Sequence, residues 1–327
     1  MVNPGTQQAV SPAEHRAASR PAGSYLIHGL RIQSEFPLPG LLENRDGPCD
    51  AEVRFAAVDA PEAVHRDELK CFTALDRTFY CGENGLGRVK VRSGTEILVE
   101  PAEPSADADM LRLLVLGFAL PALLHQRGLL VLHASVVAIN GGSVAFMGRS
   151  GAGKSTLAGS FLNAGDTIIS DDIAVIELAA GMPLVQPGAP QLKLWPASVA
   201  KLGCAADTLK PLVKDHDKLA WHTANARSSK ASPLVRVYEL VTGTTTVVRS
   251  LAEHEALVAL VRHSFCAQLG MVHDRGSATL HFDQCTRVLQ RVPVRMLSLR
   301  RDLDRLADAL GAVYEDLSAT AQPAASG

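Results

Sequence analysis

The sequence predicts an α/β protein, with a P-loop core preceded by a small, mainly antiparallel β module. Three observations predict it. An apolar strand, a glycine-rich loop and a helix-forming run follow one another across residues 143–163; strand and helix patterns alternate from Leu129 onward; and short β-branched runs separated by Gly, Pro and Asp fill residues 25–100. The 327 residues are 47% apolar and only 20% charged, enough for a packed core and unlike a disordered or collagen-like chain. A net charge of -2 argues against a dedicated nucleic-acid or anionic-membrane binder, so any phosphate site must be local.

In chain order, residues 1–22 are rich in Pro, Ala, Ser and Gln, lack an apolar signal core and read as a disordered tail. Residues 25–32, 51–55, 78–81, 88–92 and 96–100 read as strands, and 23–103 form the β-rich module. Residues 101–109 resemble a linker whose Ser105 and Asp107 are candidate caps for a helix starting near Met110, which places the domain boundary at 103/104. The apolar run 114–124 contains Pro121 and is too short to span a bilayer, so a core helix is expected. From 129 the chain reads strand, a tight turn at Asn140 and Gly141, strand, helix 154–163, and a buried strand 167–170. A further strand over 235–241, a helix over 253–269 and an amphipathic helix carrying Arg295, Arg300, Arg301 and Arg305 complete a domain spanning 104–317, with a disordered tail at 318–327. The six cysteines form no C-x-x-C pair and read as free or buried thiols of a reducing, cytoplasmic setting.

Chemistry concentrates in residues 148–155, which fit G-x-x-x-x-G-K-[ST] in the required strand–loop–helix context. Gly148, Gly151 and Gly153 let the backbone curl so that N–H groups of Ser150, Ala152 and their neighbours, with Thr156 at the helix start, point at phosphate oxygens. Lys154 would reach the β- and γ-phosphates, and the Ser155 hydroxyl would be a ligand of the Mg²⁺ that bridges them. Seventeen residues beyond Lys154, a strand expected beside the loop strand ends in Asp171 and Asp172. Adjacent residues at a strand end point opposite ways, so one could take a hydroxyl proton while the other supports Mg²⁺. His133 sits in an apolar strand, where a lone histidine is ordinarily a core or edge residue. Lys193, Lys218 and Arg236 are candidate cations for phosphate or a substrate carboxylate, and Trp195 is a candidate substrate wall or a core residue. No H-x-x-H spacing suggests a metal cage built by the protein alone, and no Asn/Thr-Lys-x-Asp run suggests guanine recognition.

His133, Ala134 and Ser135, the loop 148–156, and Ile169 to Asp172 together resemble the kinase domain of HPr kinase/phosphorylase, whose fold is related to phosphoenolpyruvate carboxykinase. The resemblance implies a serine kinase using ATP and Mg²⁺, with His133, Lys154, Ser155 and Asp171 lining the phosphoryl-transfer site. It further implies Asp171 as the base and Asp172 at the metal. HPr kinases are hexamers, so a homo-oligomer is also implied. There is no counterpart of the downstream glycine-rich segment that the bifunctional enzymes use in reverse. The β module instead looks like that of kinases tailoring lasso-peptide precursors, as does the stretch 191–196 with Lys193 and Trp195. The acceptor so implied is the C-terminal serine of a precursor peptide; the alternatives are HPr or another small protein, a small molecule, or a non-catalytic ATP-operated switch.

Overall fold

The computed structural model describes residues 22–321 apart from 45, 62–69, 84–85, 104–107, 179–180, 190, 213–216 and 223–229. The N-terminal tail through residue 21, the candidate caps Ser105 and Asp107, and residues 322–327 lie outside the described residues.

The first sheet is built from β1 (Gly23–Ile27), β2 (Leu30–Ser34), β3 (Leu42–Glu43), β4 (Ala51–Phe55), β5 (Lys70–Thr73), β6 (Phe79–Glu83), β7 (Gly87–Arg92) and β8 (Glu96–Pro101). Among the described residues its order is β3-β1-β2-β4-β8-β7-β6-β5, antiparallel except where β4 runs parallel to β2 and β8. Strict alternation in β7, where Val89 and Val91 are fully buried, gives the sheet one apolar face. Cys71 and Cys81 oppose each other across β5 and β6 with their sulfurs 2.8 Å apart, a pairing that their ten-residue separation does not announce.

That apolar face is covered by α1 (Ala108–Leu114) and α2 (Leu120–Gln126), joined by a π-helical turn over Val115–Ala119. Pro121 explains the turn. It has no N–H to give the carbonyl four residues back and its ring crowds that carbonyl, so the helix widens and the Leu120 N–H bonds Val115 O instead. The run 109–126 is thereby longer than the sequence suggested. At 18 residues with mean hydropathy 1.2 it is long and apolar enough to cross a membrane, and half of it is buried inside the protein. Leu114, Leu120, Leu123 and Leu124 share one apolar cluster with β1, β7 and β8 on one side and with Val131, Ile173 and Phe265 on the other. The boundary expected at 103/104 therefore does not separate two cores, because the helix after it is the lid of the sheet before it.

The second sheet contains β9 (Leu130–Leu132), β10 (Ala134–Ile139), β11 (Gly142–Met147), β12 (Thr167–Ser170), β13 (Ala174–Glu177), β14 (Leu184–Gln186), β18 (Ser232–Thr242), β19 (Val247–Ser250) and β20 (Val294–Leu299). Its centre, β11-β18-β20, is parallel, and β10 joins β11 through a two-residue turn with Asn140 and Gly141 at positive φ. β12 does not lie beside β11: it pairs with β10, which intervenes. Two antiparallel steps leave β12 and β11 running in the same direction, so both end at one edge. A small third sheet, β15 (Gln191–Leu194), β17 (Leu219–His222) and β16 (Leu209–Pro211), covers one flank with α3 (Lys154–Asn163) and α4 (Pro196–Leu202).

The helix expected over 253–269 is broken. α5 (Glu253–Arg262) stops at His263, and the Ser264 hydroxyl caps a separate α6 (Phe265–Gln268). α7 (Arg275–Leu289) and α8 (Leu306–Ala321) follow; Arg295 lies in β20, not on a helix, and residues 318–321 are helical rather than tail.

The tip of the β1–β2 hairpin ties the first sheet to the second. His28 and Gly29 form the turn at positive φ, the His28 N–H bonds Pro187 O at 2.9 Å, and the imidazole is 3% exposed. Burial holds this imidazole down to about 4 from its ordinary 6.5, and it likewise holds His125 down to about 4. The unfolded chain takes up these protons at the ordinary value while the native state does so only near the lowered one. Stability is therefore lost as pH falls through that window, by about 3 kcal/mol for His28 alone. Urea unfolding between about pH 7 and pH 4 should show this fall, and His28→Asn, which suits the left-handed turn, should remove roughly half of it. An unchanged slope in His28→Asn would refute the assignment to His28.

Candidate functional site

The glycine loop leaves β11 at Gly148, where a side chain would meet Leu240 O and Cβ at 3.1 and 3.3 Å. Gly153, the residue preceding α3, has φ +93, a conformation that costs a glycine little. Between them Ala152 N–H bonds Arg149 O, folding the loop back on itself. Lys154 is 6% exposed, and its Nζ donates to Gly148 O at 3.0 Å and Arg149 O at 3.3 Å, which holds the ammonium against the loop. Burial lowers its pKa, and the nearby Lys218 charge adds to the effect while Asp172 and Asp171 oppose it. The loop thus combines backbone donors, a helix N-terminus and a fixed cation, the set that a polyphosphate requires. The Thr156 hydroxyl is 2.8 Å from Ser198 Oγ on α4, so the group Thr156 offers a ligand is its backbone N–H.

β12 delivers the two aspartates to the same edge. Asp171 Oδ1 accepts from Ser135 Oγ at 2.5 Å and Ser155 Oγ at 2.9 Å, and Oδ2 accepts from the Lys193 N–H at 2.8 Å. Asp172 takes a left-handed φ of +66, which turns its carboxylate elsewhere. Its Oδ2 is 2.7 Å from Lys193 Nζ and its Oδ1 is 3.8 Å from His133 Nε2. The two carboxylates do face different partners, but the cause is this left-handed turn rather than strand alternation. Burial and the adjacent Asp172 charge raise the Asp171 pKa. Burial pushes Asp172 the same way, yet Lys193 and His133 outweigh it and hold Asp172 well below the carboxylate range. Lys193 is raised in turn, the attraction of Asp172 exceeding the cost of burial.

The hydrogen bonds pair these residues differently from the expected division of labour. The serine that would ligate Mg²⁺ is bonded to Asp171 and not to Asp172, whose oxygens face Lys193 and His133. Asp171 also fits a cation by its charge. It is a crowded carboxylate served by three neutral donors, whereas Asp172 already has an ammonium partner. Ser155 gives its proton to Asp171, leaving its oxygen lone pairs for a metal.

Lys193, from β15, reaches the site, and Lys218 stands over the Trp195 ring at 5.2 Å, close enough to act on Lys154. Trp195 is 47% exposed, so it is not a core residue. Arg236 is 2% exposed and paired with Asp316 of α8 at 3.3 Å; it braces the helix packed on β18 and does not reach the loop. The His133 N–H bonds His263 O at 2.7 Å, which explains the break between α5 and α6 as the anchor of this strand end.

A cavity of about 920 Å³ opens beside the loop at the ends of β11, β18 and β20, lined by His133, Arg149, Ser150, Glu239, Arg262 and Arg301 among others. Sequence reasoning missed Ser135, which was present in the motif around His133, and the cavity arginines, which no spacing connects.

No family model matches the chain, and no curated protein matches it. Among solved structures, the HPr(Ser) kinase/phosphatase from Coxiella burnetii aligns with a TM-score of 0.33 at 11% identity, covering 58% of this chain and 98% of that chain.

Removing the Lys193 ammonium leaves Asp172 without its charge partner. Lys193→Met should cost about 1–3 kcal/mol in urea unfolding at neutral pH, since the pair is only partly exposed. Adding Asp172→Asn should recover most of that loss, and a double variant as unstable as the single one would rule out the pair as its source.

Proposed function

We propose that this protein is an ATP- and Mg²⁺-dependent kinase that phosphorylates a serine hydroxyl, with the C-terminal serine of a lasso-peptide precursor as acceptor. The observation that carries the reading is the Ser155–Asp171 hydrogen bond at the foot of the glycine loop, beside a second carboxylate with different partners. The backbone N–H groups of residues 148–156 and Lys154 would hold the triphosphate, and Ser155 with Asp171 would hold Mg²⁺. When bound, Mg²⁺ supplies charge neutralisation on the β- and γ-phosphate oxygens. Asp172, fixed by Lys193 and next to His133, orients the acceptor hydroxyl and takes its proton. The serine oxygen bonds to the γ-phosphorus as the bond to the β–γ bridging oxygen breaks, and ADP leaves.

Asp172 is held far below neutrality and is a weak base, which suits phosphoryl transfer because placement and fixed charge matter more there than proton abstraction. His133, anchored through its N–H to the His263 carbonyl, lines the cavity and stands beside Asp172. The proposed setting is the cytoplasm, and the proposed partners are the peptide and further copies of the chain.

Intact-mass spectrometry tests this with a serine-terminated precursor peptide, its Ser→Ala variant and HPr, each incubated with ATP, Mg²⁺ and the full chain. A gain of about 80 Da on the serine peptide alone is expected. Asp172→Asn should slow transfer by about 10²–10⁴-fold with nucleotide affinity kept, while Lys154→Met should lose the nucleotide. Phosphorylation of HPr alone would replace the peptide acceptor, and bound ATP without transfer to any substrate would make the protein a nucleotide-operated switch.

A further inference from the structure

The cavity beside the loop has a charge pattern that the proposed chemistry does not use. Its lining carries three guanidiniums, Arg149, Arg262 and Arg301, against one carboxylate, Glu239. Glu239 is already engaged by His263 Nε2 at 3.0 Å and Arg262 at 3.2 Å. The lining therefore holds an excess of two positive charges, and neither Arg149 nor Arg301 forms an ion pair among the described residues. The three arginines come from separate elements: the glycine loop, the end of α5 and the turn after β20. Arg149 and Arg301 converge because β11 and β20 run parallel to β18 and end at the same edge of the sheet, and α5 brings Arg262 to that edge. The cavity adjoins the aspartate pair through one side chain, since His133 lines it and stands 3.8 Å from Asp172.

An ammonium that a substrate carboxylate could have used, Lys193, is committed to Asp172. From this arrangement we infer that the cavity is an acceptor subsite for an acid group carried next to the reacting hydroxyl, with Arg301 as its specificity-determining residue. This deepens the kinase reading above and rests on it for the identity of the hydroxyl. Guanidinium forks grip carboxylates in two-point contacts, so such a site distinguishes an acid from its amide. A terminal serine offers both groups within one residue, a hydroxyl for Asp172 and a carboxylate for the arginines. The same cations could instead serve the nucleotide phosphates, which the experiment separates.

Calorimetry on the full chain, with Mg²⁺ and a non-hydrolysable ATP analogue present, would compare a serine-terminated peptide bearing a free carboxylate with the same peptide amidated. The acid should bind about tenfold or more tightly than the amide. Arg301→Gln should erase most of that difference and Arg301→Lys should keep part of it, with the affinity for the analogue unchanged in both. Equal binding of acid and amide, or no binding of either, would overturn the inference. So would an Arg301→Gln protein that loses affinity for the analogue instead, because the arginine would then belong to the nucleotide. Transfer is read separately by mass: an acid preference without phosphate transfer would refute the kinase reading and leave the acid subsite standing.

Discussion

Two adjacent carboxylates at the end of a buried strand repel each other and have lost much of their water, and the rest of the site is organised around that constraint. Asp171 and Asp172 cannot share one environment cheaply. The chain separates them with a left-handed residue and gives each a different set of partners. Asp171 receives neutral donors from three elements: Ser135 at the start of β10, Ser155 at the start of α3, and the backbone of Lys193 in β15. Asp172 receives the Lys193 ammonium. Lys193 thus serves both, its amide bonded to one carboxylate and its side chain to the other.

This arrangement explains why the fold needs both its parts. β15 belongs to the small third sheet, and the chain enters it through residues 187–189, which are pinned from two sides. Gly188 N–H bonds Ile169 O beside the aspartates, and Pro187 O accepts from His28 at the tip of the first sheet. A side chain at Gly188 would collide with the Ser170 Cβ at 2.7 Å, so the segment lies as close to β12 as backbone can. The N-terminal hairpin consequently braces the segment that carries Lys193. The shared core of α1, α2 and the first sheet makes that brace rigid, because the hairpin cannot shift without disturbing apolar contacts that reach Ile173, the residue next to Asp172.

How far the sequence could be read follows from where each determinant resides. The glycine loop is local: its spacing, the strand before it and the helix after it are all contiguous, and the structure has that order. The Asn140–Gly141 turn is local too, and both residues take the positive φ that the dipeptide favours. The aspartate pair is conspicuous in the chain, but its partners are not, since Ser135 and Lys193 are ordinary residues until β10 and β15 bring them together. The break at His263 was hidden because 253–269 keeps a helical pattern, and only the bond from His133 to the His263 carbonyl shows why the helix stops. Arg236 failed as a site candidate for the opposite reason. A charged residue in a strand suggests function, yet Asp316, eighty residues later, makes it a buried pair.

The final consequence concerns charge across the loop. At its foot two carboxylates share Lys193, and beside it opens a cavity with guanidiniums in excess. Both sit within a chain whose net charge is only -2, so the separation of sign is local and not an overflow of composition. On the acceptor-subsite proposal, a ligand that reaches both offers a donor to Asp172 and an anion to Arg301. A free phosphate offers only the second, and a simple alcohol only the first. A hydroxy acid offers both within a few bonds, and the negative charge of Asp172 favours its hydroxyl over its acid at the aspartate end of the site.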